Sequence, residues 1–289
     1  MPVLESVPNF SEGRDRVTIE AIGAALAASA RVLDVHADAD HNRSVFTVVG
    51  EPDALVEALF AAVGVAVERI DLRLHEGVHP RIGAADVVPI VPLAPEDFDA
   101  AKETARLLGA RLAGLGLPVF LYAPPERGPA YYRRGGLAAL EARLGAGELA
   151  PDFGEELLHP SAGGVIVGAR LPLIALNVNL RGEVEIARAV ARAVRERDGG
   201  LPGVRALGLD LPRAGVVQVS MNIEDWNVSP PHAVVARVAA EAAARGAKVL
   251  GSELVGLMPA GAAAAAAGSA LHIDGFDESR VLELRLIDE

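Results

Sequence analysis

The sequence contains no cysteine, very little lysine and few aromatic side chains. Without cysteine the chain can form no disulfide, no cysteine-ligated zinc site and no thiol nucleophile, so covalent chemistry would need serine, aspartate, lysine or histidine. Lysine occurs only at positions 102 and 248, and the other cations are arginines. Arginine's planar fork suits carboxylates and phosphates, although genome base composition is an alternative cause of this bias.

Targeting features are also missing. The first residues, MPVLESVPNF, offer neither a basic segment nor an apolar one, which argues against a signal peptide. The longest apolar run, residues 254–271, is broken by Pro259 and by glycines. It therefore predicts a buried or capping helix rather than a membrane span. We expect a soluble, cytoplasmic protein.

The charge balance is acidic, with a formal net charge of −12 at pH 7. General nucleic-acid binders are usually basic, so we expect small-molecule partners and neither nucleic acid nor a membrane. At 289 residues with 51% hydrophobic content, the chain can bury the core of one large domain or of two smaller ones.

Short β-branched runs alternate with amphipathic, alanine-rich stretches in both halves, a pattern typical of α/β structure. Each half has the order β-α-β-β-α-β, the ferredoxin-like or split βαβ unit. We predict an α+β fold of two α/β sandwich subdomains related by duplication, residues 1–172 and 173–289, with a ligand cleft between them. Predicted strands are 3–7, 31–36, 44–50, 87–93, 118–122, 173–180, 204–209, 216–223 and 248–254, and predicted helices are 14–29, 53–69, 95–114, 183–197 and 230–244.

Residues 123–164 are predicted to be irregular, because they are rich in glycine, proline and arginine. A long irregular segment in a compact protein is usually functional or disordered. Within it and just beyond, PDFGEELLHPSAGGVIVGAR carries consecutive glycines at 163 and 164, which allow close approach of a ligand or form a plain turn. Ser161 lacks the GxSxG context of a serine hydrolase.

The stretch HEGVHPRIGAADVVP places His75 and His79 four residues apart. Gly77 and Pro80 break any helix there, so the spacing does not give the HxxxH zinc arrangement of a helix face. The two rings are either structural or one of them is an acid–base group, since imidazole titrates near pH 6.5. Pro80 restricts the backbone of His79 to extended conformations, and Arg81 could hold an anion beside it.

A second polar cluster, VHADADHNRS, lies between two predicted strands. It lacks the glycine and distal glutamate of an EF-hand, so it is either a polar surface turn or part of a site at a strand end. Its chemistry-bearing members are His36, Asp38, Asp40, His41, Asn42 and Arg43.

Two further groups are open to a structural or a binding role. In VPNFSEG, Asn9, Ser11 and Glu12 precede a helix whose N-terminus could receive an anion, but residues 11–13 could equally serve as its cap. Asn177 and Asn179 put amides on a strand, where they either join neighbouring strands or bind a polar ligand.

Together, VPNFSEGR, LDVHADADHNRSVFTVVG, HEGVHPRIGAADVVPIVPL, PDFG, HPSAGGVIVGAR, NVNL, VSMNIEDW and KVLGSELVGLMP resemble the formiminotransferase domain of glutamate formiminotransferases. The resemblance covers residues 2–259, without the cyclodeaminase part. It implies transfer of a formimino group from N-formimino-L-glutamate to N5 of tetrahydrofolate, giving 5-formiminotetrahydrofolate and glutamate, in histidine degradation. It also implies two ferredoxin-like subdomains.

The resemblance assigns the catalytic histidine to His79, with Arg81 beside it, and a folate-contacting loop to residues 154–163. Where the family carries an aspartate near the histidine, this chain has His36, with Asp34 two residues earlier. Either that role passes to Asp38, Asp40 or another carboxylate, or the chemistry differs. We count His36 with the catalytic group. The expected substrate-binding residues are Asn9, Ser11, Glu12, Asp38, Asn42, Arg43, Gly154, His159, Pro160, Ser161, Gly163, Asn177 and Asn179.

We expect His79 to shuttle the proton of the transfer while arginines such as Arg43 and Arg81 meet the substrate carboxylates. No metal and no permanently bound cofactor is expected; tetrahydrofolate is a co-substrate. A homodimer is the default expectation. Two alternatives are a folate enzyme that transfers a formyl group to or from glutamate with 5-formyltetrahydrofolate, and a non-catalytic folate-binding protein.

Overall fold

The computed structural model describes residues 2–122 and 127–287. The chain forms two compact units, Met1–Leu171 and Pro172–Glu289. The division lies beside the boundary at 172 that the sequence indicates. Among the described residues no helix is long and apolar enough to cross a membrane.

The strands of the first unit are β1 Leu4–Ser6, β2 Asn9–Phe10, β3 Arg31–Asp38, β4 Arg43–Gly50, β5 Ala85–Pro92, β6 Val119–Leu121 and β7 Val165–Ala169. They form one sheet, in which β3 lies beside β4 at one edge and β6 lies beside β7 at the other. Two short successive strands, β1 and β2, both lie between β4 and β5 and run antiparallel to them. The strand β7 is parallel to β5 and to β6.

Helices cover the hydrophobic face of this sheet. They are α1 Arg16–Ala27, α2 Pro52–Arg69, α3 Phe98–Leu112, α4 Pro129–Arg133 and α5 Gly136–Gly145, with 3-10 turns at Leu72–Leu74, Pro95–Asp97 and Ala113–Leu115. Phe46 and Val48 from β4 pack with Leu59 of α2 and Leu108 of α3 in one fully buried cluster, and each such side chain contributes about 1.5–3 kcal/mol. A smaller cluster joins Tyr132 and other buried residues of 82–166.

Two local predictions for this unit are wrong. The helix expected at residue 14 begins at Arg16, and its cap is Asp15 rather than residues 11–13, because the Asp15 carboxylate accepts the Val17 N–H. Ser11 instead donates to the Gly83 carbonyl over 2.7 Å. Residues 123–164 are not irregular throughout, since they contain α4 and α5; residues 123–126 lie outside the described residues.

The elements of the second unit are β8 Ile174–Arg181, α6 Val184–Val194, the 3-10 turn Glu196–Asp198, β9 Val204–Leu211, β10 Val216–Ile223, α7 Pro231–Ala243, β11 Lys248–Val255, α8 Ala260–Leu271, the 3-10 turn Glu278–Arg280 and α9 Leu282–Ile287. Its strands form a helix-covered antiparallel sheet in the order β11-β8-β10-β9. Apolar residues recur at helical spacing along its first helix, where Ala187, Val190, Ala191 and Val194 are buried against the sheet.

The two sheets share a strand order. In the first unit β1 and β2 lie between β4 and β5, with β3 outside β4; in the second, β8 lies between β10 and β11, with β9 outside β10. Both orders fit the ferredoxin-like topology that we propose for the two units. Their origin by duplication stays a prediction.

A candidate active site around His79

The His79 ring is half-buried in the loop that precedes β5. Its Nδ1 lies 2.8 Å from Nη1 of Arg43 and also 2.8 Å from the carbonyl oxygen of Pro80. No described residue forms a hydrogen bond with Nε2. One nitrogen of the ring is therefore held by the protein, and the other is left for a reacting molecule.

Arg43, the first residue of β4, reaches three side chains with its guanidinium. Nε donates to Oδ1 of Asn9 over 2.9 Å, Nη1 contacts His79, and Nη2 donates to Oδ2 of Asp86 over 2.8 Å. Burial lowers the pKa of Arg43 to about 10, partly offset by Asp86, so the group keeps its charge at neutral pH. The planar fork thus fixes Asn9, His79 and Asp86 relative to one another.

Asp86 is fully buried in β5 and is shared by two arginines. Its Oδ2 lies 2.8 Å from Nη2 of Arg43 and 2.6 Å from Nη2 of Arg133, and its Oδ1 accepts the Ile82 N–H over 2.8 Å. Burial by itself raises the pKa of Asp86, but Arg133, Arg43 and the Ile82 N–H outweigh it and hold the pKa below its usual value. Asp86 is therefore the anion on which this cluster is built.

The same surroundings keep His79 neutral. Burial is the largest cause of a pKa well below the usual value, and the charges of Arg43 and Arg133 lower it further, while Asp86 and the Pro80 carbonyl act in the opposite direction. A neutral imidazole at pH 7 can accept a proton, which a charged one cannot.

Arg81 joins two loops, the turn after β3 and the loop before β5, through their backbone carbonyls. Its guanidinium donates to the carbonyls of Asn42 over 2.9 Å, His41 over 2.6 Å and His79 over 3.1 Å, and it also contacts the ring of His75. Because its donors are engaged in this way, the geometry gives Arg81 a clamping role on the loop that carries His79. Its predicted contact with a substrate carboxylate stays a prediction.

The turn after β3 is fixed by its own side chains. Asn42 has a left-handed backbone with φ of 45°, its Oδ1 accepts the Gly13 N–H over 2.9 Å, and its Nδ2 donates to the Glu76 carbonyl over 3.0 Å. Asp38 accepts the His41 N–H over 2.6 Å. Burial raises the pKa of Asp38, but its bonds to His41 dominate and lower it to about 2. The ring centroids of His41 and His79 are 6.2 Å apart.

The loop at residues 154–163 packs directly against the residues that follow His79. Gly164 N–H donates to the Ile82 carbonyl over 2.9 Å, and Ala84 N–H donates to the Ala162 carbonyl over 2.9 Å. Gly163 has φ of 70°, and a Cβ there would overlap the Ile82 carbonyl oxygen. Glycine is thus required where this loop meets the residue that donates to Asp86.

Other residues of that loop have structural contacts as well. His159 Nδ1 accepts the Ala162 N–H over 3.1 Å, and the Ser161 carbonyl accepts the Leu72 N–H over 2.8 Å. Gly154 has φ of 87° and fits closely against the Leu117 carbonyl, and Pro160 is exposed. The loop is therefore ordered by backbone bonds, and its contact with folate stays a prediction.

The remaining predicted residues occupy several places. His36 is half-buried on the edge strand β3, paired in register with Val45, and the Glu12 carboxylate accepts the Arg14 N–H over 2.7 Å. In the second unit, Asn179 accepts from Gln218 over 2.9 Å and Asn177 lies 3.4 Å from Glu253. Each of these amides thus links neighbouring strands of its own sheet.

Two members of the cluster, Asp86 and Arg133, are not among the predicted site residues. A signal for Asp86 is visible in the sequence, since it is the lone carboxylate in the apolar run Ala85–Pro92 and a buried carboxylate requires a cation or donors. Arg133 carries no comparable signal, because α4 falls in the segment that the sequence predicts to be irregular. Among the described residues no group of three His, Cys, Asp or Glu side chains could hold a metal ion.

Known proteins match the chain over nearly its whole length. Residues 3–170 match the N-terminal subdomain of the formiminotransferase domain, and residues 175–276 match the formiminotransferase domain. The chain belongs to the formiminotransferase family. It is 40% identical to a glutamate formimidoyltransferase of Thermoplasma acidophilum over 99% of this chain and 98% of that one.

Two other relatives give a similar result. A glutamate formimidoyltransferase of Streptococcus pyogenes serotype M1 is 36% identical over 99% of each chain. A formimidoyltransferase-cyclodeaminase of Gallus gallus is 40% identical over 89% of this chain and 50% of its own length. In the present formiminotransferase, the carboxylate that is connected to His79 through Arg43 is Asp86.

Proposed function

We propose that this formiminotransferase transfers a formimino group from N-formimino-L-glutamate to N5 of tetrahydrofolate and releases glutamate. Similarity over the full length to two proteins named glutamate formimidoyltransferase supports this function. The structural observation that carries it is the neutral, half-buried ring of His79, held at Nδ1 and without a protein partner at Nε2 among the described residues.

The reaction needs one proton to change places. A bond forms between N5 and the formimino carbon, the bond from that carbon to the glutamate nitrogen breaks, and the proton lost by N5 ends on the departing glutamate nitrogen. Nε2 of His79 accepts the proton and returns it, a role that contributes on the order of 10²- to 10⁴-fold. Alignment of the two substrates supplies much of the remaining acceleration.

The charges near His79 suit a substrate that carries carboxylates. The site contains three positively charged arginines, Arg43, Arg81 and Arg133, and the negative group that opposes them is the buried carboxylate of Asp86. Nε of Arg133 has no hydrogen-bond acceptor among the described residues, and its Nη2 has only the ion pair with Asp86. We therefore assign Arg133, rather than the fully engaged Arg81, as the first partner of a glutamate carboxylate.

The donor is tested by offering purified protein tetrahydrofolate with formiminoglutamate and, separately, glutamate with 5-formyltetrahydrofolate. We expect 5-formiminotetrahydrofolate in the first mixture and much slower formyl transfer in the second, because two relatives that match over the full length are named glutamate formimidoyltransferase. Faster formyl transfer would favour the formyl enzyme. Tight folate binding with neither product would indicate a binding protein.

We also propose a role in histidine degradation, a cytoplasmic location and a homodimer. The first follows from the substrate, and the last from the prevalence of two-fold symmetry among oligomeric enzymes. Sedimentation equilibrium of the purified protein distinguishes a dimer from a monomer.

A further inference from the structure

Two groups contact Nδ1 of His79, and they require opposite protonation states of this nitrogen. Arg43 Nη1 and the Pro80 carbonyl oxygen each lie 2.8 Å from Nδ1. A guanidinium has only donors and a carbonyl has only lone pairs. Nδ1 must carry a lone pair to accept from Arg43, or a proton to donate to Pro80. Only one of the two contacts can be a hydrogen bond at a time.

The choice between them determines what the ring can do. If Nδ1 accepts from Arg43, a neutral ring carries its proton on Nε2 and can only donate there. If Nδ1 donates to Pro80, Nε2 is a free lone pair and can act as a base. The charged donor gives the stronger bond, and Arg43 is held in place by Asn9 and Asp86.

We propose that Arg43 is a positioning residue that keeps the proton of resting His79 on Nε2, while the Pro80 carbonyl is the alternative partner that Nδ1 uses when the ring acts as a base. The tautomer part stands by itself, and only its kinetic consequence rests on the proposed function. The charged or titratable groups that face the ring are Arg43, Arg133, Asp86 and His41.

Nitrogen NMR of protein labelled with ¹⁵N-histidine measures the tautomer directly, because a protonated and an unprotonated ring nitrogen resonate far apart. The His79 signals are identified by their loss in His79→Gln. At pH 7 without substrate, we expect Nδ1 unprotonated and Nε2 protonated. In Arg43→Gln we expect the proton on Nδ1, where the Pro80 carbonyl accepts it. A wild-type ring already protonated at Nδ1, or the same tautomer in both proteins, would overturn the proposal.

Arg43→Gln also takes a cation from the buried Asp86, so folding is checked by the thermal midpoint. If that variant does not fold, Arg43→Lys retains a charge for Asp86 but lacks the fork that spans three side chains, and the same tautomer change is expected. Arg14→Gln is the matched control, because Arg14 binds the Ala39 carbonyl and does not touch the ring. It should leave the tautomer unchanged.

Kinetics give a second reading that fold damage would not produce. Loss of Arg43 removes a positive charge from beside His79, so the acid limb of kcat/KM should move to higher pH, while Arg14→Gln leaves the limb in place. A tautomer that responds as expected in a protein without transferase activity would refute the proposed function and leave the positioning role intact. An unchanged limb with an unchanged tautomer would refute the positioning role alone.

Discussion

Nη2 of Arg133 lies 2.6 Å from Oδ2 of Asp86, and the same oxygen accepts a hydrogen bond from Nη2 of Arg43. One fully buried carboxylate therefore holds two guanidiniums from different parts of the first unit. A charged group with so little exposure to water is stable only when it is paired with a group of opposite charge. The strand β4, the strand β5 and the helix α4 are joined at this point.

Replacing Asp86 with Asn should strongly destabilise the first unit, because two arginines would share a buried site without an anion. We expect a loss of about 3–5 kcal/mol, measured by urea unfolding. Asp99→Asn, which breaks the exposed pair with Lys102, is the control and should change stability by less than about 1 kcal/mol. Equal effects of the two substitutions would contradict the proposed role of Asp86.

The same carboxylate predicts how stability depends on pH. The folded pKa of Asp86 is below the unfolded value, so its contribution is fully present above the unfolded pKa of about 3.9. The contribution is lost as pH falls through the folded pKa. The free energy of unfolding, measured at a series of pH values, should fall steeply at acid pH in the wild type and less steeply in Asp86→Asn.

The activity should persist to unusually low pH for a reaction that depends on histidine. The pKa of His79 lies well below its usual 6.5 through burial and the charges of Arg43 and Arg133, and the ring accepts a proton only when it is neutral. The acid limb of kcat/KM should therefore lie below pH 6.5. A limb at or above the usual histidine pKa would count against His79 as the base.

Replacing His79 with Ala should abolish formimino transfer while folate binding remains mostly intact, because the ring moves a proton and does not anchor the ligand. Turnover and fluorescence titration with a reduced folate measure the two properties. His272→Asn is a matched control: His272 is exposed and has a left-handed φ of 57°, a conformation that Asn tolerates. Near-normal turnover in His79→Ala would overturn the assignment.

Replacing Gly163 with Ala should lower both stability and activity. Its φ of 70° alone costs an L-residue about 1–2 kcal/mol, and the new Cβ would push on the Ile82 carbonyl, next to the N–H that donates to Asp86. Gly64→Ala is the control, because a Cβ at this position in α2 meets nothing within 4 Å. That change should stabilise the protein by about 0.5–1 kcal/mol, and both values can be read from urea unfolding.

Much of the local structure follows from neighbours in the sequence. Periodic patterns in the sequence reveal the helix α2, with Pro52 in its first turn, the hydrophobic stripe of α6 and the strands β9 and β10. They do so because helix and strand faces repeat over a few residues. Helix boundaries are less predictable. The cap of α1 is Asp15, whose carboxylate accepts the Val17 N–H, while Ser11 binds the Gly83 carbonyl, 72 residues away.

The sequence also shows the backbone restraint that Pro80 places on His79, because this is a local property. Only the family resemblance assigns the catalytic role to His79 rather than to His75. The sequence does not identify Asp86 and Arg133 as members of the site. Contacts such as Arg43 with His79 and with Asp86 join residues 36 and 43 positions apart. No local pattern specifies which distant charges meet, so only the tertiary structure decided that Asp86 holds Arg43 and that Arg43 holds His79.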